Sequence, residues 1–151
     1  MEAAHEETLR VKLAGLELQI RGRQSLGAPT YDDDDWLSMS ARCHASGADV
    51  VVPGLIVSIP TLECWCDQIA QMQLTLSGNA LLNDLEQQLT IELLSRDFGH
   101  IRLKVEITPD HLTQSHSFLF EIDQSYLGPV LTQLRAVLRE YPIHGRRPVA
   151  R

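Results

Sequence analysis

Residues 99–127 read GHIRLKVEITPDHLTQSHSFLFEIDQSYL. From His100 to Ile107 polar and apolar residues alternate. Ile101, Leu103, Val105 and Ile107 belong to one face, and His100, Arg102, Lys104 and Glu106 to the other. A period of two is that of a strand with one face in a core and the other in water. Thr108-Pro109-Asp110 ends the run, and residues 110–115 make a turn or short loop. His116 to Ile122 resumes the alternation with Phe118, Phe120 and Ile122 inward. Upstream, Phe98-Gly99 turns the chain, and Leu89, Ile91 and Leu93 share a face in the same way. The polar faces carry both signs, Arg102 and Lys104 against Glu92 and Glu121. That suits cross-strand pairs on a solvated sheet face.

The period changes immediately after this stretch. Asp123 or Ser125 caps a helix in which Tyr126, Leu127, Val130, Leu131, Leu134, Val137, Leu138 and Tyr141 form a continuous apolar face. Pro129 is tolerated in a first turn, and Pro142 stops the helix. A second helix is expected after Pro60, with Thr61 as its N-cap candidate and Leu62, Trp65, Cys66, Ile69 and Met72 as its apolar stripe. Ser77-Gly78-Asn79 ends it, and Ala80 to Leu85 reads as a short strand.

Nearer the N-terminus, Leu9, Val11 and Leu13, then Leu16, Leu18 and Ile20, alternate with polar residues around Ala14-Gly15, the pattern of a hairpin. Gly22 to Asp35 reads as a polar loop. A third strand begins at Trp36. Ser46 to Asp49 is a turn, and Val50 to Ile59 is a β-branched strand bent at Pro53-Gly54. No sequence repeat or linker appears. The strands come in neighbouring runs and the helices are two. The expected class is α+β: a mostly antiparallel β-sheet of about six to eight strands with two amphipathic helices packed on one face. A single domain is expected over residues 1–151, with flexible ends at about 1–7 and 144–151.

Composition narrows the function classes. The 151 residues carry a net charge of −7, with −6 in residues 1–75 and −1 in residues 76–151. An acidic surface repels phosphate backbones, which argues against nucleic acid and suits a basic protein partner. The same charge also serves solubility alone. The acidic start lacks the basic and apolar runs of a signal peptide, and no apolar stretch is long enough to span a bilayer. A soluble cytoplasmic protein without membrane contact is therefore expected. Cys43, Cys64 and Cys66 show no framework spacing and read as reduced, buried thiols.

Each group that could carry chemistry has a plainer reading. Asp32, Asp33, Asp34 and Asp35 lack the alternate spacing and glycine of a calcium loop. They are either a solvated loop or, with Trp36, an acidic rim beside an aromatic anchor that meets a partner. His100, His111 and His116 with Glu106 and Asp110 are the best enzyme candidate, yet their spacing matches no zinc motif and Asp110 is a normal turn residue. Adjacent Cys43-His44 diverge on a strand. Ser115 and Ser117 lack the glycines of a nucleophile elbow, and no phosphate-binding glycine loop occurs. No metal, cofactor or catalytic set is assigned, and a binding protein is favoured over an enzyme.

The run Gly99 to Leu127 resembles the C-terminal signature of the WapI-type immunity proteins, small bacterial proteins encoded beside polymorphic toxins. The likeness extends more loosely over Leu9 to Pro142, including Asp35-Trp36-Leu37 and Pro60-Xaa-Leu62. It implies function by stoichiometric binding to the toxic C-terminal domain of a cognate toxin. It carries across neither the toxin's activity nor any binding residue. Two other readings stay open: a small hydrolase-like enzyme using the His, Asp and Glu groups of residues 106–116, and a structural homo-oligomeric subunit.

Overall fold

The alternation around Ile101 becomes the third strand of a four-stranded ladder in the computed structural model, which describes residues 9–24 and 35–143. In chain order the elements are β1 (Arg10–Leu13), β2 (Leu16–Gln24), β3 (Trp36–Ala45), β4 (Ala48–Ser58), α1 (Ile59–Thr75), β5 (Asn79–Asn83), β6 (Leu89–Ser95), β7 (His100–Ile107), β8 (Ser117–Asp123) and α2 (Leu127–Glu140). Short 3-10 turns cover Asp97–Gly99 and Gln124–Tyr126.

The fold is α+β, as expected, with eight antiparallel strands and two helices among the described residues. The strands do not form one sheet. They divide into two meanders, β1-β2-β3-β4 and β5-β6-β7-β8. The physical divider is α1. Its 17 residues carry the chain about 25 Å along a helix axis, so β5 opens a new ladder instead of pairing with β4.

Each meander is followed by a helix, so the chain runs twice through four strands and a helix. The helices have matching buried faces. Leu62, Trp65, Cys66, Ile69 and Met72 of α1 occupy the positions that Leu127, Val130, Leu131, Leu134 and Val137 occupy on α2. The helices pack against each other, and each also packs beside the first strand of the opposite half, α1 along β5 and α2 along β1. A glutamine at the same position of each helix binds that strand's edge. The Leu81 N–H donates to Gln68 Oε1 at 3.0 Å, and the Lys12 N–H donates to Gln133 Oε1 at 2.6 Å.

A single core cluster draws from all eight strands and both helices. It holds the predicted inward residues of β7, all four of them buried, and the predicted stripe of α1. Phe120 is only half-buried. Tyr126 is exposed, because it lies in the 3-10 turn before α2 and not on the helix face.

Local differences from the sequence reading concern ends. The N-cap of α1 is Ser58, not Thr61. Its hydroxyl accepts from the Thr61 N–H at 3.3 Å, and Pro60 sits in the first turn where no donor is needed. The helix ends at Leu76 in the left-handed region (φ 54°), whose N–H donates to the Met72 carbonyl. Gly22 to Gln24 belong to β2, with a register slip between Ile20 and Gly22. Ala48 and Asp49 belong to β4, leaving Ser46-Gly47 as the turn. The bend at Pro53-Gly54 is present as a register slip opposite Met39 and Ala41. The ends expected to be flexible, about 1–7 and 144–151, lie outside the described residues.

Candidate functional site

Trp36 opens β3 on the outward face, half-buried, opposite Gln24 of β2 and Ser58 of β4. The acidic tract therefore leads into the corner where β3, β4 and the start of α1 meet. Asp32, Asp33 and Asp34 lie outside the described residues. Asp35, grouped with them at the sequence level, is only 7% exposed. Its carboxylate pairs with Arg23 at 3.4 Å and its carbonyl accepts from the Ile59 N–H at 2.8 Å. Arg23 also donates to the Pro142 carbonyl. Asp35 thus ties β2 to the first residue of α1 at the base of the tract, and Arg23 carries the link on to Pro142 beyond α2. The sequence offered no pointer to Arg23 as its partner, because a loop separates them.

The histidine group is dispersed by the sheet. His100 lies opposite Asp123 at one end of β7, and Glu106 lies at the other. His111 and Ser115 stand on the loop beyond that second end, where they line a concavity with Glu106 and Asp84. No hydrogen bond joins Glu106, His111 and Ser115, so the base-to-nucleophile relay that activates a serine is not formed. Asp110 is engaged by its own loop: its carboxylate accepts from the Leu112 N–H at 3.0 Å and the Thr113 hydroxyl at 2.9 Å. The His116 ring contacts Gln114 at 3.0 Å. Asp84, buried beneath the concavity, accepts from the Leu89 N–H at 2.9 Å and the Glu86 N–H at 3.3 Å. These carboxylates organise loops. Among the described residues, no three of His, Cys, Asp and Glu are grouped to hold a metal ion.

The cysteines separate by environment. Cys43 is wholly buried, and burial, followed by the field of Asp49, pushes its thiol up to about 12. Burial also raises Cys66, against the lowering influence of Arg135. Cys64 is exposed, which corrects the reading of all three as buried. It lies two residues from Cys66 on α1, and the two face different sides as expected.

On the surface of the β1-β2-β3-β4 sheet, two charged pairs form. Arg10 meets Glu17 at 2.9 Å and Arg42 meets Asp49 at 2.6 Å, both exposed. The Asp49 carboxyl is held below its ordinary range first by the Arg42 hydrogen bond. The Asp123 carboxyl is held down by the Ser125 hydroxyl and then by the Ser125 N–H, in an N-terminal cap of the 3-10 turn.

Comparison with known proteins bears on what kind of protein carries this arrangement. The model of the immunity protein WapI-like family matches residues 10–142. The chain belongs to that family. The match runs from the first residue of β1 to Pro142, two residues past the end of α2, so the WapI-like unit comprises both meanders and both helices. No curated protein and no solved structure matches the chain. No helix among the described residues is long and apolar enough to cross a membrane.

Proposed function

We propose that this WapI-like protein binds and neutralises the toxic C-terminal domain of a cognate bacterial polymorphic toxin, in the cytoplasm, by stoichiometric contact without catalysis. The observation that carries the reading is the family match over residues 10–142. The net charge of −7 supports it, since an acidic surface steers a basic partner such as a nuclease domain. So does the dispersal of the histidine group. In this reading Asp32, Asp33 and Asp34 form an acidic rim beside the half-buried Trp36, and Asp35, held by Arg23, anchors the base of that rim.

Co-expression with the toxic domain encoded immediately upstream tests this. Survival together with a 1:1 complex on gel filtration is the expected result. Unchanged toxicity without a complex counts against it. Changing Asp32, Asp33 and Asp34 to Asn together tests the rim separately: association should slow and its salt dependence should flatten. Unchanged association kinetics would remove the tract from the interface.

A further inference from the structure

Two four-stranded sheets have four edge strands, and three of them are obstructed. Along an antiparallel strand, hydrogen bonding to one neighbour falls on alternate residues. A single bond therefore tells which backbone groups face the neighbour and which face out. On β1 and β5 the outward residues include Lys12 and Leu81, whose N–H groups meet Gln133 and Gln68. On β4 the outward Ile56 carbonyl accepts from the Leu85 N–H at 2.8 Å, Pro53 supplies no donor, and the register slips.

On β8 the Ile107 N–H donates to the His116 carbonyl at 3.1 Å, one step beyond the Glu106–Ser117 pair. The pairs Val105–Phe118, Leu103–Phe120 and Ile101–Ile122 then exchange the bonds between β7 and β8. The N–H and C=O groups of Ser117, Leu119 and Glu121 point the other way. Among the described residues nothing binds them. This edge has no proline and no register slip. Natural sheets usually blunt such an edge because it is a template for another strand.

We propose that the free edge of β8 is a strand-docking site for an extended segment of a second protein that alternates basic and apolar residues. The alternation follows from the pleat. A strand added here sets one row of side chains beside the outward residues Leu119, Glu121 and Asp123, where Leu119 is 63% exposed. Lysine or arginine fits that row, its stem over Leu119 and its charge by the carboxylates. The other row lies beside Phe118, the half-buried Phe120 and Ile122, and apolar side chains fit it. A second copy of the chain fits poorly. It would bring Glu121 and Asp123 of both strands onto one face and join two bodies of charge −7. The inference goes beyond toxin neutralisation, because it holds whichever protein supplies the segment.

The test is a titration of the 15N-labelled chain with acetyl-Lys-Val-Lys-Val-Lys-Val-Lys-amide, followed by amide shifts, beside the same peptide with Glu for Lys. The lysine peptide should shift Ser117, Leu119 and Glu121, and the glutamate peptide should not. Leu119→Pro removes an outward N–H without touching the β7 ladder, a place where edge strands accept proline. It should weaken binding about tenfold. Glu121→Lys, which leaves the backbone unchanged, should invert the preference between the peptides. No shift with the lysine peptide, shifts centred elsewhere, or unaltered binding by both variants would overturn the proposal. So would a dimer of the free chain that Leu119→Pro dissolves, which would make the occupant a second copy.

Discussion

Replacing Gly15 with alanine should be among the most damaging single-methyl changes in this protein. Gly15 sits in the β1–β2 turn, and its carbonyl accepts from the His44 N–H at 3.0 Å. A Cβ at this position would lie 2.0 Å from the His44 carbonyl oxygen and 2.8 Å from Cζ of Phe120. The first is a backbone atom that cannot rotate away. The turn must therefore retreat by more than 1 Å, which strains the His44 bond and lifts the hairpin from β8 in the other sheet. Overpacking of this kind costs about 1–3 kcal/mol, and a lost hydrogen bond adds about 1 kcal/mol. The expected loss is about 3 kcal/mol, more than a hundredfold in the folding constant. Urea unfolding of Gly15→Ala followed by tryptophan fluorescence measures it. Gly54→Ala is the control: a Cβ there meets nothing within 4 Å, so its stability should change by less than about 0.5 kcal/mol. A Gly15→Ala loss below about 1 kcal/mol would refute the placement of the turn between the sheets.

Three further outcomes follow from the same geometry. Gln68→Ala and Gln133→Ala should each cost about 1 kcal/mol in urea unfolding and add in the double variant, because each frees one edge N–H on a different sheet; strong coupling would contradict independent clamps. In the native chain an alkylating reagent at pH 8 should label Cys64 quickly, Cys66 slowly and Cys43 only on unfolding, read by peptide mass analysis; rapid labelling of Cys43 would contradict its burial. Carbon-detected titration should place the Asp123 carboxyl below the ordinary aspartate range, and Ser125→Ala should return it towards that range. A carboxyl depressed on folding adds stability above its unfolded pKa, and that contribution fades as the pH falls through the folded value.

The strands were legible wherever alternation is regular and one face is buried. For β7 the limits and the inward set follow from the sequence alone, because Ile101, Leu103, Val105 and Ile107 lie in the core while the residues between them do not. The bend at Pro53-Gly54 was legible for a different reason, since proline cannot donate into a ladder. The division into two sheets was not legible. Local patterns show that β4 and β5 are strands but not whether they pair, and the helix between them decides. The twofold run of four strands and a helix was hidden as well. Between the two helix faces only Leu62/Leu127 and the glutamines Gln68/Gln133 are identical, while Trp65 corresponds to Val130 and Cys66 to Leu131, too little shared identity to show as a repeat. At the candidate interface, Trp36 was legible as a strand opening. The burial of Asp35 was not, because four consecutive aspartates look alike until Arg23 selects one of them. The open edge of β8 depends on sheet order, which the alternation of Phe118, Phe120 and Ile122 does not encode.

The central claim is neutralisation by binding without turnover. The direct measurement is a titration of the purified toxic domain with this chain, with residual toxin activity read at each ratio after short and long incubation. Stoichiometric binding predicts that activity falls in a straight line to zero at one equivalent, with no dependence on incubation time. Complete loss at a small fraction of one equivalent, deepening with time, would mean that the chain acts as an enzyme on the toxin or its product. That result would contradict the account.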